Sequence, residues 1–497
     1  MTPLETKDEA IESLEILLTA EEAFLALETQ VLNATRSFVG CFRVFDLRTR
    51  LHSAAAQEVG ETWFDLILDA LNRGVTFDLT VADFDPIAAT PDHRRSWSSA
   101  RQFAALDELS HGARIHWTIA MHPARVGLLP RLAFQAKARK ELADREPDPL
   151  TPGLEERKDQ LDLPLVPATH HQKLAVIDDR ILYLGGLDLN ERRFDTKDHD
   201  RPADQTWQDI HTLSTGPVVH AALRHLETFR QVTAGERSAP EAAPGFLRTL
   251  SGKRKAGLVH ISPKPEITEI EAAHLAAIEA SEGPIYLETQ FFRHRPLADA
   301  LAEAATRRSG LTCTMVLPAA PEDVAFEDND KEDAQLGAQL QMDCIDTISE
   351  AFGQRLALAA PARPVAAPDE LSDNAQLYGA PIIYVHSKLS LFGLTEGVIS
   401  SANLNGRSMK WDTEAGLHVT RPEHLRDFWN RALEHWLGSI PIDPLEDQLA
   451  YIEWLNGDIA RNMVTAPHDR THFLLPYPRG RDIELAAPLP GVPDALV

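Results

Sequence analysis

Two short stretches of the 497-residue chain place a histidine and a lysine two residues apart at the head of an apolar run: HQKLAVID (171–178) and HSKLSLFG (386–393). Alternate residues of a strand share a face, so His171 and Lys173 point one way, and His386 and Lys388 do the same. Lysine supplies a positive charge and three donors. Histidine supplies a nitrogen that attacks, or a proton that is given, near neutral pH. Together they suit an oxyanion. One such pair is ordinary on a protein surface, but here residues 171–192 align without a gap on 386–407. Gly185-Gly186 falls on Ser400-Ser401, Asp188 on Asn403, Asn190 on Asn405 and Arg192 on Arg407. The chain is a duplication. If the two strands meet, their histidines and lysines fit a phosphodiester. One imidazole attacks phosphorus to form a phosphohistidine; the other protonates the leaving oxygen and later deprotonates water. The lysines, with Ser401 and Asn403, hold the growing charge. This chemistry calls for no metal and no cofactor, and no metal motif such as H-E-x-x-H occurs.

The elements that must position these strands also repeat. Each copy reads as strand, turn, strand and polar loop. Upstream, RSFVGCFRVFD (36–46), ETWFDLILDALNRG and VTFDLTVADFDP read as strand, helix, strand, and so do GPIYLETQFFR (283–293), PLADALAEAATRRSG and LTCTMVLP. In the first of these helices Trp63, Leu66, Ile67, Ala70 and Leu71 fall along one face. The expected fold is α/β: two similar lobes, each a mixed sheet flanked by helices, related by a pseudo-twofold axis. The junction falls near 231–246, where periodicity gives way to Ala, Pro, Gly and charge. This divides the chain into lobes at 1–240 and 241–440 and a last segment, 441–497, holding one more helix and a Pro-rich tail. Long insertions are expected at roughly 87–168 and 319–380.

Bulk composition narrows the function. With 49 basic against 75 acidic residues the net charge is −26, which disfavours general nucleic-acid binding. Cys41, Cys313 and Cys344 have neither metal nor disulfide spacing, in keeping with a reducing compartment. The acidic N-terminus is no secretory signal, and no apolar run approaches the ~18 residues of a membrane span. A cytoplasmic protein, peripheral to membrane at most, is expected.

H-x-K-x4-D followed by Gly-Gly resembles the signature of the phospholipase D superfamily. His171, Lys173 and Asp178 match it, as do His386 and Lys388, with Ser401 and Asn403 in its GSxN-like position. WQDIHTLSTGP (207–217), IYLETQFF (285–292) and SSANLNGRSMKWDTE extend the resemblance over most of 30–440. It implies a phosphodiesterase that releases phosphatidate and the head-group alcohol from glycerophospholipids, acting as a monomer at a membrane surface. It also implies an acid behind each histidine: by position, Asp209 for His171 and Glu414 for His386. Glu288 and Gln290 become residues that support the site from behind or stand beside the phosphate, Gly186 and Asp188 pocket lining, and His171 the nucleophile, although near-symmetry lets the roles exchange. A phosphatidyl transferase of cardiolipin synthase type, a nuclease and a lipid-binding pseudoenzyme are the alternatives. The last rests on Gly393, which stands where the motif has aspartate. Parity weakens it: Asp178 lies seven residues from His171, on the opposite face of an unbroken strand, so a structural part is expected of it. Trp207 is expected in the core or at the rim.

Two segments carry readings of their own. Residues 124–146 cluster Arg125, Arg131, Lys137, Arg139 and Lys140 among Leu and Phe, as a solvated basic helix or as one that docks on an anionic membrane. The charge-rich 322–339 reads as a solvated insertion or a lid.

Overall fold

The computed structural model describes residues 10–143, 148, 150–152, 165–254, 258–327 and 332–480, with some side chains of 137–142 and 332–333 left aside. The Pro-rich tail lies outside the described residues. Seven strands form the first sheet: β1 (Ser13–Leu18), β2 (Ser37–Phe42), β3 (Thr76–Asp83), β4 (Ile115–Met121), β5 (Leu174–Ile177), β6 (Ile181–Gly185) and β7 (Ile210–Thr215). Their spatial order is β1-β7-β6-β5-β2-β3-β4. Strands β2, β3 and β4 run parallel, and the remaining pairs are antiparallel. Hence β4, expected inside an insertion, belongs to the sheet.

The second sheet holds β8 (Phe246–Gly252), β9 (Lys264–Thr268), β10 (Ile285–Thr289), β11 (Cys313–Val316) and β12 (Leu356–Pro361). After a small hairpin of β13 (Gln376–Leu377) and β14 (Ala380–Pro381) come β15 (Lys388–Phe392), β16 (Glu396–Ser400), β17 (Glu414–Val419) and β18 (Leu474–Pro476). Its order, β18-β12-β11-β10-β15-β16-β17-β8-β9, contains the first sheet's order strand for strand, with β9 and β18 added at the edges. The segment after 440 is therefore more than a helix and a tail. Gln448–Val464 is helical, and β18 closes the sheet against β12.

Packing follows from the strand period. Leu174 and Val176 of β5, with Leu389 and Leu391 of β15, enter a core shared by both halves. That core also takes Val218 and Phe229 from the helix Pro217–Ala234, and Trp429 and Trp436 from Pro422–Leu437. Ala175 and Ile177 face a core drawn mostly from the first half and joined by Tyr384 of the second, and Phe392 faces one built from the second half. Each H-x-K strand is thus buried on both faces, which explains its unbroken apolar run. The helix Trp63–Asn72 buries the five residues that its periodicity singles out.

The turns after the H-x-K strands explain the missing aspartate. Asp178 and Asp179 both have positive φ, and Arg180 N–H bonds back to Ile177, as in a type I′ turn. The Asp178 carboxylate accepts from the N–H groups of Thr35, Arg36 and Ser37 and from the Thr35 hydroxyl, tying the turn to the start of β2. Burial alone would raise its pKa; those bonds hold it below the usual carboxylate range. In the matching turn of the second half, Gly393 has positive φ (55°) and the residue after it does not, and Thr395 N–H closes the turn on Phe392. Pro284 stands in the place of Ser37 and has no N–H to give. An aspartate there would lack part of its cradle. Glycine takes the left-handed φ at no cost, and Trp429 Nε1 holds its carbonyl instead, at 2.9 Å.

Asp178→Ala is expected to cost about 1–3 kcal/mol in denaturant unfolding. Gly393→Asp is expected to lose about 1 kcal/mol rather than gain stability. A stabilised Gly393→Asp variant would show that the second turn has an unused cradle.

Candidate active site

The histidine strands begin where the halves touch. Before β15, Gln208 N–H donates to Tyr384 C=O and His386 N–H to Gln208 C=O, at 2.8 and 2.7 Å. Before β5, Thr413 N–H donates to Thr169 C=O and His171 N–H to Thr413 C=O, both at 2.9 Å. These two parallel bridges are equivalent, and each sets the lead-in of one H-x-K strand beside the residue that precedes the other half's acid.

The acids are therefore exchanged relative to the expectation from sequence position. His386 Nδ1 lies 2.6 Å from Asp209 Oδ2, and His171 Nδ1 lies 3.0 Å from Glu414 Oε1. Asp209 follows Gln208 and Glu414 follows Thr413, so the bridges carry each carboxylate across the junction. Within its own half, Asp209 is separated from β5 by the intervening β6. With Nδ1 held by a carboxylate, Nε2 of each ring is the nitrogen left for chemistry.

Both lysines are buried. Lys173 Nζ donates to His171 C=O at 2.6 Å, and Lys388 Nζ bonds to His386 C=O. Asp188 Oδ2 lies 4.0 Å from Lys173 Nζ, while its Oδ1 accepts from Val44 N–H. His171 and His386 line one cavity of about 620 Å³ together with Gln290, Asn403, Arg193 and Trp207. Asn403 is buried, and its Oδ1 has no hydrogen-bond partner. A polar group so placed calls for a ligand.

Gly186, Asp188, Ser401 and Glu288, expected to bind substrate or line its pocket, do not line this cavity. Gly186 leaves room for Asp209: a Cβ there would meet Asp209 Oδ1 at 2.1 Å. Its counterpart Ser401 donates to Glu414 instead. Glu288 is fully buried and accepts from Ser387, Tyr286 and Trp436, so it anchors β15 from beneath rather than meeting a phosphate. Gln290 donates to Tyr384 OH at 2.7 Å and does reach the cavity. Trp207 is buried with its ring 4.6 Å from that of His386.

The arginines of the cavity escaped sequence reasoning. Arg193 lies 3.5 Å from the Trp207 ring centre and reaches Glu322 at 3.2 Å; Arg43 pairs with Asp92 at 3.0 Å. Arg193 lies just past the first copy of the gapless repeat and Arg43 in the upstream strand segment, so neither stands at a matched motif position, whereas Arg407, which also lines the cavity, does. Glu322 opens the charge-rich stretch read as loop or lid, and the helices Glu322–Glu327 and Glu332–Phe352 occupy much of it.

Burial sets the electrostatics. It pulls both imidazoles well below their ordinary pKa, helped by Lys173 beside His171 and by Lys388 beside His386. It pushes Asp209 and Glu414 up to about 7 and holds Lys388 down at about 7. Burial thus disfavours every charge in the site, and an anion beside Lys173 and Lys388 would favour their protonated forms.

The crossed pairing predicts a crossed response in histidine 15N NMR. Glu414→Gln should move the Nδ1 and Nε2 signals of His171 and leave those of His386, and Asp209→Asn should do the reverse. A response within each half would refute the pairing.

No family model matches the chain. Curated relatives include the proteins named phospholipase D alpha 1 from Nicotiana tabacum and Oryza sativa subsp. japonica. Each is 24% identical, over 372 and 380 residues, and each match covers 52% of this chain and 46% of the relative. A cardiolipin synthase from Listeria welshimeri serovar 6b is 26% identical over 157 residues, 31% of each protein. The chain thus spans about half the length of the phospholipases it matches. Among solved structures, phosphatidylserine synthase from Haemophilus influenzae Rd KW20 superposes with a TM-score of 0.51 at 12% identity, covering 91% of this chain and 96% of that one; the likeness is one of fold. Duplicated H-x-K strands, a shared fold and these sequence matches all liken the chain to the phospholipase D superfamily.

Proposed function

We propose that the chain is a phospholipase D-type phosphodiesterase that hydrolyses glycerophospholipids to phosphatidate and the head-group alcohol. The observation that carries this reading is the meeting of both H-x-K strands at one cavity, each imidazole held by a carboxylate from the opposite half. His171 Nε2 attacks phosphorus as the bond to the head-group oxygen breaks, and His386 delivers the proton that oxygen takes up. His386 then accepts a proton from water, whose oxygen attacks phosphorus and breaks the phosphorus–nitrogen bond, restoring His171. Lys173, Lys388 and the Asn403 amide stand by the phosphoryl oxygens as charge grows on them. Glu414 holds the His171 ring with its proton on Nδ1, which leaves Nε2 free to attack, whereas Asp209 at Nδ1 of His386 stabilises that ring while its Nε2 carries the proton it delivers.

A second reading, a phosphatidyl transferase, is favoured by the match to a cardiolipin synthase and the likeness to a phosphatidylserine synthase. An alcohol would replace water in the second step. The net charge of −26 weighs against a nuclease, and Pro284 gives Gly393 a structural reason that weakens the pseudoenzyme reading.

Purified protein on mixed phospholipid vesicles should release head group and phosphatidate, and added ethanol should yield phosphatidylethanol. His171→Ala and His386→Ala should each lower turnover by about 10²–10⁴-fold or more. Absence of turnover on every phosphodiester offered would sink the reading.

The pH profile follows from the buried groups. Asp209 and Glu414 orient the rings only when ionised, so kcat/KM falls as pH drops through about 7. Lys388 holds the anion only when protonated, so kcat/KM falls again as pH rises through about 7. A narrow bell near neutrality is expected, its limbs belonging to the coupled set. Lys388→Arg should move the alkaline limb upward, because guanidinium stays charged. An unmoved limb would assign it elsewhere.

A further inference from the structure

We infer that the helix Leu128–Ala143 and the adjoining loop 258–260 form a docking surface for an anionic lipid bilayer, set beside the mouth of the cavity. Three observations meet there. The first is apolar exposure. Leu129, Leu132 and Phe134 are 52%, 53% and 48% exposed, and Leu258 and Val259 are 64% and 72% exposed. Gly127 N–H donates to His260 C=O, and Leu129 N–H to Leu258 C=O at 2.8 Å, so the two segments form one apolar patch.

The second is charge. In a chain of net charge −26, residues 122–140 carry five cations and no acid. Residues 242–265 also carry five and no acid, but Arg248 is buried against Glu269 and Lys264 pairs with Glu266, so among the described residues Lys253 and Arg254 are the ones that face solvent unpaired with an acid. These acid-free stretches lie more than a hundred residues apart in sequence, yet the fold sets them side by side. Arg139 and Lys140 are exposed on the helix, and Lys253 and Arg254 precede the loop. Exposed leucines and phenylalanine among clustered cations match a bilayer interface, where side chains enter the head-group layer and cations meet anionic lipid. The rest of the acidic molecule is repelled, which orients the approach.

The third is position. Val126 N–H donates to Leu165 C=O, next to Val166 and Pro167 of the cavity wall. Ser251 Oγ donates to Trp411 C=O, next to Asp412 of the same wall. A bilayer seated on the patch therefore meets the cavity entrance at head-group depth, where a phosphodiester lies. The surface deepens the proposed phospholipid function by fixing where the substrate comes from.

The test is vesicle co-sedimentation with two vesicle types: phosphatidylcholine alone, and about three parts phosphatidylcholine to one of phosphatidylglycerol. Two double variants, Leu132→Ser/Phe134→Ser and Arg139→Ala/Lys140→Ala, should each weaken binding to the anionic vesicles by about tenfold. Turnover of a soluble short-chain phosphodiester should be unchanged in both. Wild-type preference for anionic vesicles that fades with salt supports the proposal. Undiminished binding in both variants overturns it, and so does equal binding to neutral vesicles. A dimer that either variant dissociates would mean that a second copy covers this face, and would overturn it too. If wild type binds as expected but fails to turn over the soluble substrate, the enzymatic reading fails while the docking surface stands.

Discussion

Two buried carboxylates cross the junction between the halves, and the rest of the site depends on them. Asp209 belongs to the first half but holds His386; Glu414 belongs to the second but holds His171. Neither half alone can assemble an oriented imidazole. The reciprocal backbone bridges at His170–Thr413 and Gln208–Val385 enforce the exchange, and the shared core of Leu174, Val176, Leu389 and Leu391 locks the halves in that register. Burying two carboxylates and two lysines together is costly, and the strained titration of all four marks a site built to receive charge rather than one built for stability.

The two half-sites have diverged within this frame. Gly186 yields space to Asp209, whereas Ser401 donates a hydrogen bond to Glu414. Asp188 turns away to Val44 and Lys173, whereas Asn403 presents a buried amide to the cavity. Trp207 lies against His386 and beneath Arg193. Such differences give the two equivalent histidines different sets of donors. The turn behind each strand has diverged as well, from an aspartate cradle at Asp178 to a glycine turn beside Pro284.

Much of this was legible in the chain. The gapless repeat disclosed the duplication, and the alternation of the H-x-K strands placed each histidine and lysine on one face. Parity separated Asp178 from the chemistry. Strand pairing was harder to read. Position in the sequence assigned each acid to the nearer histidine, but tertiary bridges decide the pairing, and no local pattern encodes them. For the same reason Ser401 looks like a binding residue in the sequence and is a support in the fold, and Glu288, open to either part, is a support as well. Of the cavity arginines, Arg407 stands in the repeat, whereas Arg193 lies just past its first copy and Arg43 in the upstream strand segment, at no matched motif position. The basic helix stood out in an acidic chain, yet its apolar partner loop at 258–260 is far away in sequence, and only the fold joins them.

The central claim is that one site is built from both halves through crossed acid–histidine pairs. A double-mutant cycle on kcat/KM tests it most directly, combining Glu414→Gln and Asp209→Asn in turn with His171→Gln and His386→Gln. Crossed pairing predicts coupling of about 1 kcal/mol or more for His171 with Glu414 and for His386 with Asp209, and clearly less for the same-half pairs. Strong coupling confined to His171–Asp209 and His386–Glu414 would contradict it.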